Sequence, residues 1–272
     1  MEHTANLVVF DWYYKMAGLA MRTIGRTSDS IRLGLTRGFD SGEMMDRIYN
    51  NRASGRYGIG WLADRYYLDQ IGCKGLRGRK EILKRELRKT IQTQLRDGRQ
   101  PVILDVAAGP ATYLVETLAE LRNPNVVAIC RDLDENGLRR GRTLAQSHQL
   151  DNVRYEIGNA LDEASVLAIR PQPTIIIASG FYELINHDSI IQRQMRINRK
   201  ALAPGGMFIF TTQVNHPQLK LIAKALNNRE GKPWIMRNRP VGETERWAVL
   251  AGFASVRSMV APHGLYTISI AR

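Results

Sequence analysis

The stretch VILDVAAGPATYL, Val102–Leu114, is an apolar run that closes on Asp105, passes through small and turn-forming residues, and re-enters apolar chain. A β-branched run ending in a carboxylate and followed by small residues reads as a buried strand feeding a loop on which a ligand can lie close to the backbone. Working outward, further β-branched runs stand at Val126–Cys130, Val153–Ile157, Thr174–Ala178 and Met207–Thr212. Helical patterns lie between them at Ala111–Leu121, Glu135–His148 and Ser189–Leu202, the last ended by APGG. Strand alternating with helix predicts right-handed crossovers and a parallel sheet covered on both faces. The end of the chain breaks that rhythm. Ala254–Val260 and Leu265–Ala271 are strand-like runs joined so tightly that only an antiparallel hairpin can form.

Upstream, ILKRELRKTIQTQL places Ile82, Leu83, Leu87, Ile91 and Leu95 near the helical period, with Lys84, Arg85, Arg88 and Lys89 largely opposite. This is an amphipathic helix with a basic outer face. The residues before it, rich in Gly, Arg and aromatics, read as a helical extension over the sheet's C-terminal edge. The expected domains are therefore 1–95, covering cofactor and acceptor, and 96–272, the α/β domain. Within the extension, LVVFDWYYKMAGLAMRTIG, residues 7–25, suits either a helix docked on the core or one lying in a membrane interface.

At 272 residues with 44% hydrophobic and 24% charged side chains, the chain has the composition of a soluble globular protein. No apolar run approaches the roughly 18 residues of a membrane span, and the first residues lack a secretory layout, so a cytoplasmic location is expected. Cys73 and Cys130 have no partner pattern, which argues against disulfides and zinc, and no metal is expected. Charge is uneven. Residues 1–100 carry 19 Lys and Arg against 11 Asp and Glu, residues 101–200 carry 11 against 12, and residues 201–272 carry 9 against 3. Basic flanks around a near-neutral centre point to an anionic partner.

In an open α/β sheet, ligands bind beyond the carboxyl ends of the strands where strand order reverses. A nucleotide phosphate would want free amides at the next helix start, and Pro110 removes one, which disfavours a dinucleotide-dependent oxidoreductase. Asp105 offers a carboxylate instead, and Ala107, Gly109 and Ala111 allow close approach, which suits a cationic amine. Asp132, in CRDLDENGL, stands where it can take both hydroxyls of a ribose, with Asp134 as competitor. In IGNALD, Asn159 and the Ala160 amide can read the polar edge of an adenine. Amine, ribose and adenine together describe S-adenosylmethionine.

These motifs, with LAPGGMFIFT leading into the fifth strand, resemble the class I S-adenosylmethionine-dependent methyltransferases, although Ala107 and Ala111 stand where many members have glycine. The resemblance implies a Rossmann-like, seven-stranded methyltransferase sheet with an antiparallel C-terminal hairpin. A narrower resemblance covers nearly the whole chain. IRLGLTRGFDSG, DRIYNNRASGRYGIGWLADRYYLDQIGCKGLRGRK, SGFYELI, HPQLKLIAKAL and WIMRNR are similar to a bacterial family assigned to the methyltransferases, some members of which are fused to an α/β-hydrolase domain resembling lysophospholipid-type lipases. That implies a small-molecule or lipid acceptor and a hydrolase partner; the basic flanks add the expectation that the acceptor is anionic and phospholipid-related, with peripheral association at an anionic inner-membrane surface.

Methyl transfer from a sulfonium is an in-line displacement, in which positioning alone can supply about 7 to 11 kcal/mol. The loop SGFYELINH should face the methyl group, with Ser179 beside the cofactor and Tyr182 and Glu183 as candidate catalytic groups; His216, in TTQVNHPQ, is a third. In GLRGRK, Arg77 and Arg79 are candidates for an acceptor phosphate, and upstream Tyr67 is a third acceptor-binding candidate that could close over the bound molecules. Two other functions compete with this reading. An RNA methyltransferase would use the basic flanks along a phosphate backbone, but the fourth-strand loop lacks the Asp/Asn-Pro-Pro-aromatic motif of base-amine methylases. A non-catalytic cofactor-binding module would regulate a neighbouring hydrolase.

Overall fold

The computed structural model describes residue 12 and residues 14–272, and divides the chain into two compact units, Met1–Arg77 with His216–Met236 and Gly78–Asn215 with Arg237–Arg272. The expected boundary at residue 95 does not coincide with this division. A single helix, Ile71–Arg96, carries the chain from one unit into the other, so no break in composition marks the change. Its first turns were hidden in the sequence by Gly72, Gly75 and Gly78. Close packing explains two of these glycines: a Cβ on Gly72 would sit 2.8 Å from His216 Nε2 within the first unit, and one on Gly78 would meet Pro262 at 3.2 Å within the second.

In the first unit, α1 (residues 14–22), α2 (Asp29–Arg37), α3 (Gly42–Asn50) and α4 (Ile59–Leu68) precede α5, the Ile71–Arg96 helix. Asp64 is the polar hub. Its buried carboxylate accepts from the Ser30 amide at 2.6 Å, the Ser54 amide at 3.0 Å and the Arg47 guanidinium at 3.0 Å. Residues after the fifth strand return here: the Phe39 amide donates to Asn227 O at 2.9 Å, and the Arg229 amide to Asp40 Oδ1 at 2.6 Å. Of the stretch read as a docking or interfacial helix, residues 7–11 and 13 lie outside the described residues. Its described part packs on a later helix of this unit, Leu219–Ala225, with Lys224 Nζ 5.1 Å from the Tyr14 ring centroid.

The second unit holds the sheet. Strands β1 (Val102–Asp105), β2 (Val127–Asp132), β3 (Val153–Ile157), β4 (Ile175–Ala178), β5 (Met207–Gln213), β6 (Val256–Val260) and β7 (Tyr266–Ala271) pair in the order β3-β2-β1-β4-β5-β7-β6. The first five are parallel, and β7 runs antiparallel to both β5 and β6, as the hairpin pattern predicted. Strands β1, β4, β5 and β7 are buried along their whole length, whereas the edges β3 and β6 are mixed. Continuous apolar runs are what strands covered on both faces require. One face packs Leu104, Phe208 and Phe210 with Trp247 and Phe253. The chain builds outward from β1 through β2 to β3, then returns to add β4 and β5 on the other side. The order therefore reverses between β1 and β4.

Between the strands lie α6 (Thr112–Leu121), α7 (Glu135–Ser147), α8 (Glu163–Leu167) and α9 (Asp188–Ala201); α10 is the Leu219–Ala225 helix of the first unit, and α11 (Val241–Leu250) precedes β6. Part of the predicted basic outer face of α5 is taken up by α6 carboxylates, while Arg85 and Lys89 remain exposed beside Glu86 of α5 itself. Lys84 lies 2.7 Å from Glu116 and 2.8 Å from Glu120, Lys80 also holds Glu116, and Arg88 pairs with Glu120. Cys73 and Cys130 are free and buried, as expected of small apolar residues. Among the described residues no helix is long and apolar enough to cross a membrane, and no group of His, Cys, Asp and Glu is arranged to hold a metal ion.

Candidate functional site

The loop after β1 is fixed from two sides. The Ala108 amide donates to Arg131 O at 3.0 Å and the Gly109 amide to Asp132 Oδ2 at 2.8 Å, which ties the loop to the end of β2. From the other side α7 presses two glycines against it. A Cβ on Gly137 would lie 3.2 Å from Gly109 Cα, and one on Gly141 only 2.8 Å from Pro110 O. Gly109 itself has φ +52°, and a Cβ there would meet no atom within 4 Å, so its outer side is open. Ala111 adopts φ +53°, a left-handed conformation that glycine would take without strain. The alanine thus stands at a position whose backbone still has the glycine shape.

Asp105 is fully buried at the end of β1. The Tyr113 hydroxyl donates to its Oδ2, while Oδ1 has no hydrogen-bond partner among the described residues. Burial pushes this carboxyl up to about 7; the nearby Asp132 charge adds to the rise, and the Tyr113 hydroxyl and Ala107 amide oppose it. An orphaned buried carboxylate oxygen costs free energy until a donor reaches it. Asp132 and Asp134 have different tasks. Asp132 accepts the Gly109 and Asp134 amides and is half-buried at the strand end, whereas Asp134 caps α7 by accepting from the Asn136 amide at 3.1 Å. A carboxylate has about four lone-pair sites, so Asp132 retains two for incoming hydroxyls.

After β3, Asn159 is exposed and its Oδ1 accepts from the Leu161 amide at 2.9 Å, while Ala160 is buried. Two residues of this edge escaped the sequence reading. Leu133 is 68% exposed directly after Asp132, and Ile157, the register partner of Asp132, is 57% exposed. Large apolar side chains left in water at a strand end offer flat surface to a ring. The signal was present in RDL, an apolar residue immediately behind the strand-end acid.

Ser179 is half-buried at the end of β4, and the next residue, Gly180, has φ +70° and donates its amide to Thr211 Oγ1 at 2.9 Å. There the catalytic expectations need correction. Tyr182 is buried in the core, donates its hydroxyl to Gln194 Oε1 at 2.6 Å and packs near Phe210, and burial raises its hydroxyl pKa well above the usual value. It is a core residue. Glu183 and Arg79, assigned separately to catalysis and to an acceptor phosphate, hold one another: Arg79 Nη1 lies 2.9 Å from Glu183 Oε1, both are buried, and the guanidinium lies 4.8 Å from the Tyr266 ring centroid. Glu183 Oε2 has no partner among the described residues.

The remaining expected residues belong to the first unit. Arg77 donates to Leu68 O at 3.0 Å and Ile48 O at 3.3 Å, satisfying carbonyls near the ends of α4 and α3 in place of a phosphate. Tyr67 is buried with its ring 5.9 Å from that of Phe39. His216 is buried, its Nδ1 accepts from the Gln218 amide at 3.2 Å, and burial lowers its pKa to about 4. It is therefore neutral at physiological pH.

Comparison with known proteins gives these features a context. Residues 2–272 match a family described as "Putative methyltransferase". The chain is 34% identical over 264 residues to "Uncharacterized protein YnbC" of Escherichia coli (strain K12), covering 96% of this chain and 45% of that protein, so it spans about half the length of the relative. The crystal structure of a possible exported protein from Bordetella parapertussis superposes with a TM-score of 0.71 at 20% identity, over 89% of this chain and 82% of the other. Magnesium protoporphyrin IX methyltransferase from Synechocystis PCC 6803, solved with bound S-adenosylhomocysteine, gives 0.55 at 11% identity, over 86% and 96%. At these identities the structures share the fold.

Proposed function

Because the chain belongs to this methyltransferase family, we propose that the crevice beyond β1 and β2 binds S-adenosylmethionine and that the protein transfers its methyl group to a small-molecule or lipid acceptor. The observation that carries the reading is the orphaned Oδ1 of buried Asp105 beside the open backbone of Gly109. A cationic amine supplies the missing donor, and the absence of a Cβ at Gly109 leaves it room. Asp132 holds the ribose hydroxyls, Asn159 and the Ala160 amide read the adenine edge, and Leu133 and Ile157 cover the ring. Ala107, Ala111 and Ser179 contribute close backbone approach. When bound, the cofactor supplies an electrophilic methyl on a sulfonium. The chain's own work is positioning and exclusion of water, which needs no acid or base in the protein.

The acceptor is proposed to be anionic and phospholipid-related. Support comes from the basic flanks, since Arg77 and Arg79 are committed internally. Arg79 holds Glu183 through one carboxylate oxygen, and the other has no partner among the described residues. The share of the relative's length that the chain covers supports a module of a longer architecture, in which a hydrolase would be the partner. Calorimetric titration with S-adenosylmethionine tests the reading; failure to bind it removes the cofactor and the reaction together.

A further inference from the structure

Most of the exposed large apolar side chains among the described residues belong to the first unit. The face of α1 that carries Tyr14 and Gly18 packs on α10, with a Cβ on Gly18 4.0 Å from Ala225 Cα. That leaves Met16 and Leu19, three residues apart on α1, exposed side by side, and Trp12 ahead of α1 is 64% exposed. Helix α4 repeats the arrangement. Its buried side carries Gly60, Asp64, Tyr67 and Leu68, while Ile59, Leu62 and Tyr66 form an outward stripe flanked by exposed Trp61 and, just before the helix, by Tyr57.

The turn after α1 joins the two helices through the buried side of α4. Ile24, exposed two residues after α1, belongs to the turn Ile24–Thr27, and the Thr27 carbonyl accepts from the Arg56 amide at 2.9 Å. Gly60 lies so close to that carbonyl that a Cβ would come within 2.3 Å of it, so the turn is seated on the first residues of α4. Around the junction, Arg22, Arg26, Arg52 and Arg56 are exposed, and none has an ion-pair partner among the described residues. Aliphatic side chains, exposed tryptophan and tyrosine, and uncompensated arginines together have the chemistry of the zone where acyl chains meet anionic headgroups. A protein partner would need matching acids and a shaped cavity; a bilayer needs only negative charge and depth.

We propose that the outward faces of α1 and α4 dock the protein on an anionic lipid bilayer. This deepens the lipid-acceptor reading without depending on cofactor binding, because each residue it uses lies outside the sheet site. The test is sedimentation of the full chain with vesicles of phosphatidylcholine alone or of phosphatidylcholine mixed with phosphatidylglycerol, for the wild type, for Leu62→Ser with Tyr66→Ser, and for Arg52→Ser with Arg56→Ser. Wild type should pellet with the anionic vesicles and little with the neutral ones. The apolar pair should weaken binding about tenfold or more, given the burial of two large side chains. The arginine pair should weaken it and flatten its salt dependence. All four residues are exposed, so melting temperatures and affinity for S-adenosylmethionine should not change. Equal pelleting of wild type and variants, equal binding to neutral vesicles, or a concentration-dependent dimer that the apolar pair dissolves would overturn the proposal.

Discussion

The Gly109 amide donates to Asp132 Oδ2 across 2.8 Å, so the loop after β1 and the end of β2 form one surface. Replacing Asp132 by Ala should therefore act twice, removing the partner of the ribose hydroxyls and releasing the loop. The expected loss of cofactor affinity is about 1 to 3 kcal/mol, or roughly tenfold to a hundredfold. Asp134→Ala is the control: it removes a helix cap, costs about 1 kcal/mol of stability and leaves affinity nearly intact. Titration calorimetry and thermal melts of both variants separate the two roles.

Asp105 should make cofactor affinity depend on pH. Burial holds its carboxyl near 7, and a cationic amine pairs with the ionised form, so binding should strengthen as pH rises through about 7 and then level off. Binding below that pH should release a proton, measurable as a buffer-dependent enthalpy. Stability of the ligand-free protein has the opposite trend. Because the folded pKa lies above the ordinary 3.8, this group's contribution is fully present below the unfolded value and is lost as pH rises through about 7. Asp105→Asn should remove both dependences; an unchanged affinity profile in that variant would assign the pH effect elsewhere.

The Arg79 and Glu183 pair should behave as structure. Arg79→Ala strands the Glu183 carboxylate in the interior, and breaking a buried pair from one side typically costs about 3 to 5 kcal/mol. Replacing both with apolar residues of similar size should recover much of that loss. A selective effect on the acceptor's KM, with the melting temperature unchanged, would restore Arg79 as an acceptor ligand.

Ala111 holds a left-handed conformation that costs a non-glycine residue about 1 to 2 kcal/mol. Glycine there should relieve more than it adds to the freedom of the unfolded chain, giving a net gain of a few tenths to about 1 kcal/mol. Differential scanning calorimetry of Ala111→Gly would register a rise of up to a few degrees. A fall would mean that the Ala111 methyl, buried against its neighbours, contributes more packing than its backbone costs.

The sheet was legible because its central strands are buried on both faces and therefore apolar without interruption, and because the connection in Val256–Ala271 is too short for anything but a hairpin. The places of Asp105 and Asp132 were legible because each closes a strand, β1 and β2. The start of α5 was not, since Gly72, Gly75 and Gly78 look like a loop until His216 and Pro262 are seen packed against two of them. Arg79 and Glu183 are 104 residues apart, and no local pattern announces that each is the other's partner. Tyr182 was misread because a tyrosine two residues after a glycine in a strand-end loop looks available, while its actual partner, Gln194, is supplied by the next helix.

The most direct measurement is calorimetric titration of the purified chain with S-adenosylmethionine and, separately, with a nicotinamide dinucleotide. The Asp105, Gly109 and Asp132 arrangement predicts saturable binding of the first, weakened by Asp132→Ala, and none of the second, because Pro110 removes an amide that a pyrophosphate would need. Tighter binding of the dinucleotide, or S-adenosylmethionine binding that is indifferent to both Asp105→Asn and Asp132→Ala, would contradict the account.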